Sequence, residues 1–119
     1  GMRMVQITMQ LPDPLARQIL PARRWLPAVL ELSLAQLKTP AAEISSEIID
    51  FLLRNPTLDE VLTYHASDRA QRRLQRLLAL NEAGLLSEEE HAELAELDKL
   101  EHIVIMLKAQ VADQVQQGN

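Results

Sequence analysis

The 119 residues contain no cysteine. That excludes disulfides, thiolate nucleophiles, iron–sulfur clusters and Cys-type zinc sites together. Aromatic residues are nearly missing, with one Trp, one Tyr and one Phe. Three glycines are too few for G-x-G-x-x-G or a Walker loop, and with only 6 prolines they are too few turns for an all-β fold. No apolar run approaches the 18 or so residues of a membrane span. The first residues alternate polar and apolar where a secretory leader is continuously apolar, so no signal peptide is expected and the cytoplasm is the expected location. Gly1 ahead of Met2 reads as the scar of tag cleavage.

Leucine and alanine fill the gap, with 22 and 14 copies. They stand beside Glu, Gln and Arg, all strong helix formers, so a mainly α protein is expected. The net charge of −5 is uneven: residues 1–60 hold 6 basic and 7 acidic side chains, residues 61–119 hold 6 and 10. The acidic second half repels nucleic acid, which leaves the first half to make any DNA contact.

Met4–Leu11 is the one strand the pattern supports. Val5, Ile7, Met9 and Leu11 share one face and Gln6, Thr8 and Gln10 the other. A lone strand leaves its backbone groups unpaired. With no second strand in the chain, the expected partner is the same strand of another copy, giving an antiparallel dimer ribbon. Such a ribbon either reads the major groove with Gln6, Thr8 and Gln10 or is a dimerisation device with a wet outer face.

Proline and cap residues divide the remainder into about five helices. Asp13-Pro14 starts the first as N-cap and N1, and Pro21 ends or kinks it. Pro27 opens a second through about Lys38, whose leucines surround it and predict burial. Thr39-Pro40 starts a third to about Arg54, broken by Asn55-Pro56. Thr57 and Glu60 form a capping box for a short helix to about His65. Ser67 caps Asp68–Ala83, with Gly84 as its C′ residue. Ser87 and Glu90 form a second capping box for the longest helix, about Glu88 to Val115. The apolar-all-round turn Ile103–Leu107 predicts burial on two sides. Residues 2–55 are thus expected to form a ribbon-helix dimerisation region. Residues 56–119 form a helical region with an antiparallel hairpin over 68–115, and the two pack as one unit.

Arg69, Arg72, Arg73 and Arg76 share a helix face. They are either a phosphate-binding stripe or partners of the next helix. Folding the hairpin about Gly84–Leu85 brings Arg76 to Glu93, Arg73 to Glu96, Arg72 to Asp98 and Arg69 to Glu101. This register is the expected one. Glu88 and His91 make a single Glu-x-x-His step, but Lys99 stands where the second acid would precede His102, so no metal site is expected. No nucleophile–base arrangement appears, and neither catalytic residues nor a cofactor is expected.

The segment VQITMQLPDPLARQIL resembles the opening of ribbon-helix-helix antitoxins and repressors: an alternating strand, a Leu-Pro-Asp turn, then a helix. The resemblance implies DNA contacts at Gln6, Thr8 and Gln10. The family's Ser/Thr-rich second-helix cap is replaced here by LPARRWLPAVLEL, where Arg23 and Arg24 are candidate phosphate contacts. The second half resembles small cyanobacterial proteins that share an Arg/Leu helix, an N-x-x-G-L-[ST]-x-E-E turn and an E-L-[DE]-x-L-E-H-[LIV]-V helix. Here these read Asn81–Glu89, with Leu86 as one extra residue, and Glu96–Val104. Some of those relatives are thought to neighbour PIN-type ribonuclease toxins. The resemblances together imply a non-enzymatic, antitoxin-like or regulatory homodimer, with DNA and such a toxin as further partners and no membrane. The alternative is a structural interaction module that does not touch DNA.

Overall fold

The computed structural model describes residues 3–117 and is mainly helical. In chain order it contains α1 (Asp13–Ile19), a 3₁₀ segment (Leu20–Trp25), α2 (Leu26–Ser33), α3 (Ala41–Leu53), α4 (Leu58–Leu62), α5 (Asp68–Glu82) and α6 (Glu88–Gln117). Among the described residues no helix is long and apolar enough to cross a membrane.

The expected strand does not form. Residues 3–12 form an arm without regular structure, and no strand occurs among the described residues. The physical reason is the missing partner: a single chain offers no second strand to take the backbone hydrogen bonds. The apolar side chains of the arm are left in solvent, with Met4 86%, Val5 75%, Ile7 76% and Met9 62% exposed.

Local chemistry sets most helix ends. Thr57 Oγ1 accepts from the Glu60 N–H at 3.1 Å while Glu60 accepts from the Thr57 N–H at 2.9 Å. Ser87 and Glu90 repeat this box at 3.1 and 3.0 Å, and Ser67 accepts from the Ala70 N–H. Gly84 adopts φ 70° and closes α5, with its N–H bonded to Asn81 O and the Leu85 N–H to Leu80 O. This is the Schellman pattern that glycine permits without strain. Pro21 breaks α1 into the 3₁₀ segment, where Ala22 leaves helical geometry. Asp13 does not cap. It is the first helical residue after Pro12, and its carboxylate pairs with Arg17 one turn on.

Two helical expectations change. α2 stops at Ser33 rather than Lys38, and Gln36 turns left-handed at φ 53°. The Lys38 and Thr39 N–H groups are taken by the Glu96 carboxylate, so the chain gains more by leaving the helix than by extending it. Nor is α2 buried all round: Ala28 and Leu32 are buried, Leu30 and Leu34 exposed. Similarly, Ile103 is buried but Ile105 and Met106 face out, so the apolar turn of α6 is covered on one side only.

One core draws on both halves of the chain. Trp25, Leu32, Ile48 and Leu52 pack in one cluster with Leu77, Leu97, Leu100 and Ile103. α6 is the spine, touching α2, α3, α4 and α5. The radius of gyration is 16.4 Å, above the roughly 13.5 Å of a compact chain of this length. The long α6 and the free arm account for that excess.

Candidate functional site: an arm and a trough

Two features present unsatisfied chemistry. The first is the arm. Gln6, Thr8 and Gln10 alternate along it with the exposed apolar residues. Arg23 and Arg24 stand exposed in the 3₁₀ segment, with the Arg24 guanidinium 5.9 Å from the Trp25 ring centroid. Among the described residues no hydrogen bond or ion pair links the arm to these arginines.

The second is a trough between α3 and α5, floored by α6. Its apolar part has a volume of about 430 Å³ and is lined by Ile44, Ile48, Leu74, Leu97, Leu100 and Val104, with Tyr64 and Lys108 at its end. Lys108 Nζ donates to the Tyr64 carbonyl, fixing that end, and the Tyr64 ring stacks on Phe51 with centroids 4.5 Å apart. Burial and the nearby Glu47 carboxylate push the Tyr64 hydroxyl above its ordinary pKa. The charged part, about 470 Å³, is lined by all four α5 arginines, by Glu43 and Glu47 of α3, and by Glu93. Ile44 and Ala70 line both parts, so the two hollows adjoin along α3 and α5.

The expected hairpin pairing is corrected here. α5 and α6 are neighbours, but Arg73 meets Glu93, one helical turn from the anticipated Glu96. Its Nε and Nη2 donate to Glu93 Oε2 and Oε1, each at 2.8 Å. The shift follows from burial: the Glu93 side chain is only 5% exposed and needs a bidentate cation. This bond holds the Arg73 guanidinium above its usual pKa. Glu96 is diverted to the α2–α3 connection. There it accepts from the Lys38 N–H at 2.9 Å, the Thr39 N–H at 3.1 Å and Thr39 Oγ1 at 2.6 Å.

Arg69 turns to Glu43, at 3.8 Å with both side chains exposed, rather than to Glu101. Arg72 and Arg76 have no carboxylate within 4 Å among the described residues, so their pairing with Asp98 and Glu93 does not form. Glu101 lines the apolar end of the trough, and Asp98 is exposed. Neither the trough nor the burial of Glu93 follows from a local sequence pattern. The one local sign of Glu93's burial is a carboxylate one turn inside an amphipathic helix, flanked by Leu94 and Leu97.

Glu88 and His91 are exposed in the first turn of α6. Among the described residues no three His, Asp or Glu side chains gather closely enough to hold a metal ion. No family model, no curated protein and no solved structure matches the chain.

Proposed function

We propose that this chain is the subunit of a homodimeric, non-enzymatic binding protein of the antitoxin or regulatory kind, joined through its N-terminal arms. The observation that carries the reading is the arm itself. Four apolar side chains at alternate or adjacent positions stand 62–86% exposed on a backbone with nothing to pair with. Pairing two arms antiparallel pairs the facing edge of each backbone, leaves the outer edges to water, and gathers Val5, Ile7, Met9 and Leu11 of each chain on one face. Leu15 and Leu20 of the adjoining helices are exposed as well and add to the apolar surface that such a dimer would bury. Gln6, Thr8 and Gln10 then form the opposite, polar face, which DNA contacts with Arg23 and Arg24 beside it. The helical part receives a protein partner such as a PIN-type ribonuclease toxin.

Light scattering of the full chain tests the assembly. The reading expects a dimer at micromolar concentration and a monomer for Val5→Asp with Ile7→Asp. A double variant that remains dimeric overturns it. A second reading, an interaction module with no DNA contact, is favoured by the charge of −5, which a dimer doubles. Salt-dependent binding to duplex DNA, lost on Gln6→Ala with Gln10→Ala, separates the two.

A further inference from the structure

We propose that the α3–α5 trough receives an amphipathic helix of a partner protein, with its apolar side chains on α6 and its carboxylates against Arg72 and Arg76. This rests on the binding-protein reading above, but not on its dimer.

Length comes first. From Glu93 to Lys108 the floor runs fifteen residues along α6, about 22 Å at helical rise. That is four turns of helix, far longer than a small metabolite. The second point is backbone chemistry. The trough is walled and floored mainly by helices, whose backbone groups already bond within themselves, and in the irregular stretch at its end the Tyr64 and Ala66 carbonyls accept from Lys108 Nζ and Gln71 Nε2. It offers no strand edge, so an extended segment, the arm of another copy included, would lie there with unpaired amides. A helix brings its own backbone bonds, and helix-in-groove docking needs only apolar anchors at i, i+3, i+4 and i+7.

Charge then selects the partner. Arg73 is consumed by Glu93, while Arg72 and Arg76 on the same wall have no carboxylate within 4 Å among the described residues. The facing wall carries Glu43 and Glu47. A helix with carboxylates along the α5 side and neutral or basic residues along the α3 side complements both walls. A nucleic-acid strand, negative on every side, meets repulsion from Glu43 and Glu47. Ile105, 54% exposed, lines the apolar part and offers a further contact at its margin.

The probe is a fluorescent 16-residue helical peptide with leucines at i, i+3, i+4 and i+7 and glutamates along one flank, with a glutamine-for-glutamate peptide as control. Anisotropy with the full chain should show the glutamate peptide binding at least tenfold tighter than the control. Arg72→Glu with Arg76→Glu should abolish that tenfold preference, and Ile105→Asp should weaken both peptides. These residues are exposed, and unchanged thermal melting confirms that each variant is folded. Equal affinity for the two peptides, no binding of either, or no effect of the arginine variant overturns the proposal. So does displacement of the peptide by a single-stranded oligonucleotide, which would make the site a polyanion groove. A fall in the mass of the free protein on Ile105→Asp also overturns it, since a second copy would then fill the trough. Loss of the dimer in the arm variant, with peptide binding intact, would leave this inference standing by itself.

Discussion

Trp25 Nε1 donates to the carbonyl oxygen of Pro56 at 3.0 Å, across 31 residues and inside the core. The indole is 2% exposed. The bond ties the 3₁₀ segment that Pro21 creates to the Asn55-Pro56 break after α3, so two proline-made irregularities hold each other in place. A buried carbonyl outside a helix needs such a donor. Trp25→Phe keeps most of the apolar volume but leaves the Pro56 carbonyl unpaired. It should cost about 1–3 kcal/mol in urea unfolding, against roughly 3–5 kcal/mol for Trp25→Ala. Because this is the only tryptophan, the native protein should emit at short wavelength and shift to the red on unfolding.

The Arg73–Glu93 pair should respond unequally to removal of its two ends. The Glu93 side chain is 5% exposed and that of Arg73 37%. Arg73→Met strands a buried carboxylate and should cost about 3 kcal/mol or more. Glu93→Gln leaves an arginine that can turn to water and should cost only about 1–2 kcal/mol. Chemical denaturation of the two variants checks the order, and equal losses would place both groups in the same environment.

What could be read from the sequence was what is decided within one turn of chain. The capping boxes of Thr57 and Ser87, the Ser67 cap, the proline breaks and the glycine after α5 each depend on residues three or four apart, and they stand as expected. What failed depends on distance. Folding the hairpin about Gly84–Leu85 puts Arg73 opposite Glu96. In the fold, the apolar seam around Leu77 and Leu97 sets the register, and Glu93 is the carboxylate that meets Arg73. Glu96 then serves a connection 57 residues away, a contact no local pattern encodes. The alternation of Met4–Leu11 was legible as a pattern but not as a structure, because a strand is a property of a pair. The trough was invisible for a similar reason: it lies between α3 and α5, which no turn or cap places side by side.

Gly84 should tolerate replacement on steric grounds but not on backbone grounds. A Cβ there meets nothing within 4 Å, yet φ is +70°. Gly84→Ala should therefore destabilise by about 1–2 kcal/mol, and Gly84→Asn by less, since asparagine tolerates the left-handed region. Thermal melts of the two variants check the ranking. Equal melting temperatures for Ala and Asn would mean that the α5–α6 connection relaxes out of the Schellman geometry.

Stability should fall in acid, and Glu96 should carry a measurable part of the loss. Burial pushes its carboxyl up, but the Thr39 hydroxyl, the Lys38 and Thr39 amides and the nearby Lys99 outweigh this and hold it below the usual glutamate range. Glu60 and Glu90 are likewise lowered, chiefly by the backbone N–H groups of Thr57 and Ser87. A carboxyl whose pKa is lower folded than unfolded binds fewer protons in the native state. Its contribution is therefore complete above the unfolded value of about 4.3 and is lost as pH drops through the folded value. Glu96→Gln keeps the shape but gives up charge-assisted acceptance from three donors, and at pH 7 it should cost about 1–3 kcal/mol. The gap between wild type and variant should narrow steadily in urea melts from pH 5 to pH 3, because protonating Glu96 does to the wild type what the substitution does to the variant. A gap that stays constant across that range would show that the carboxylate charge contributes nothing. The α2–α3 connection would then be held by packing around Thr39 and Ala41 instead.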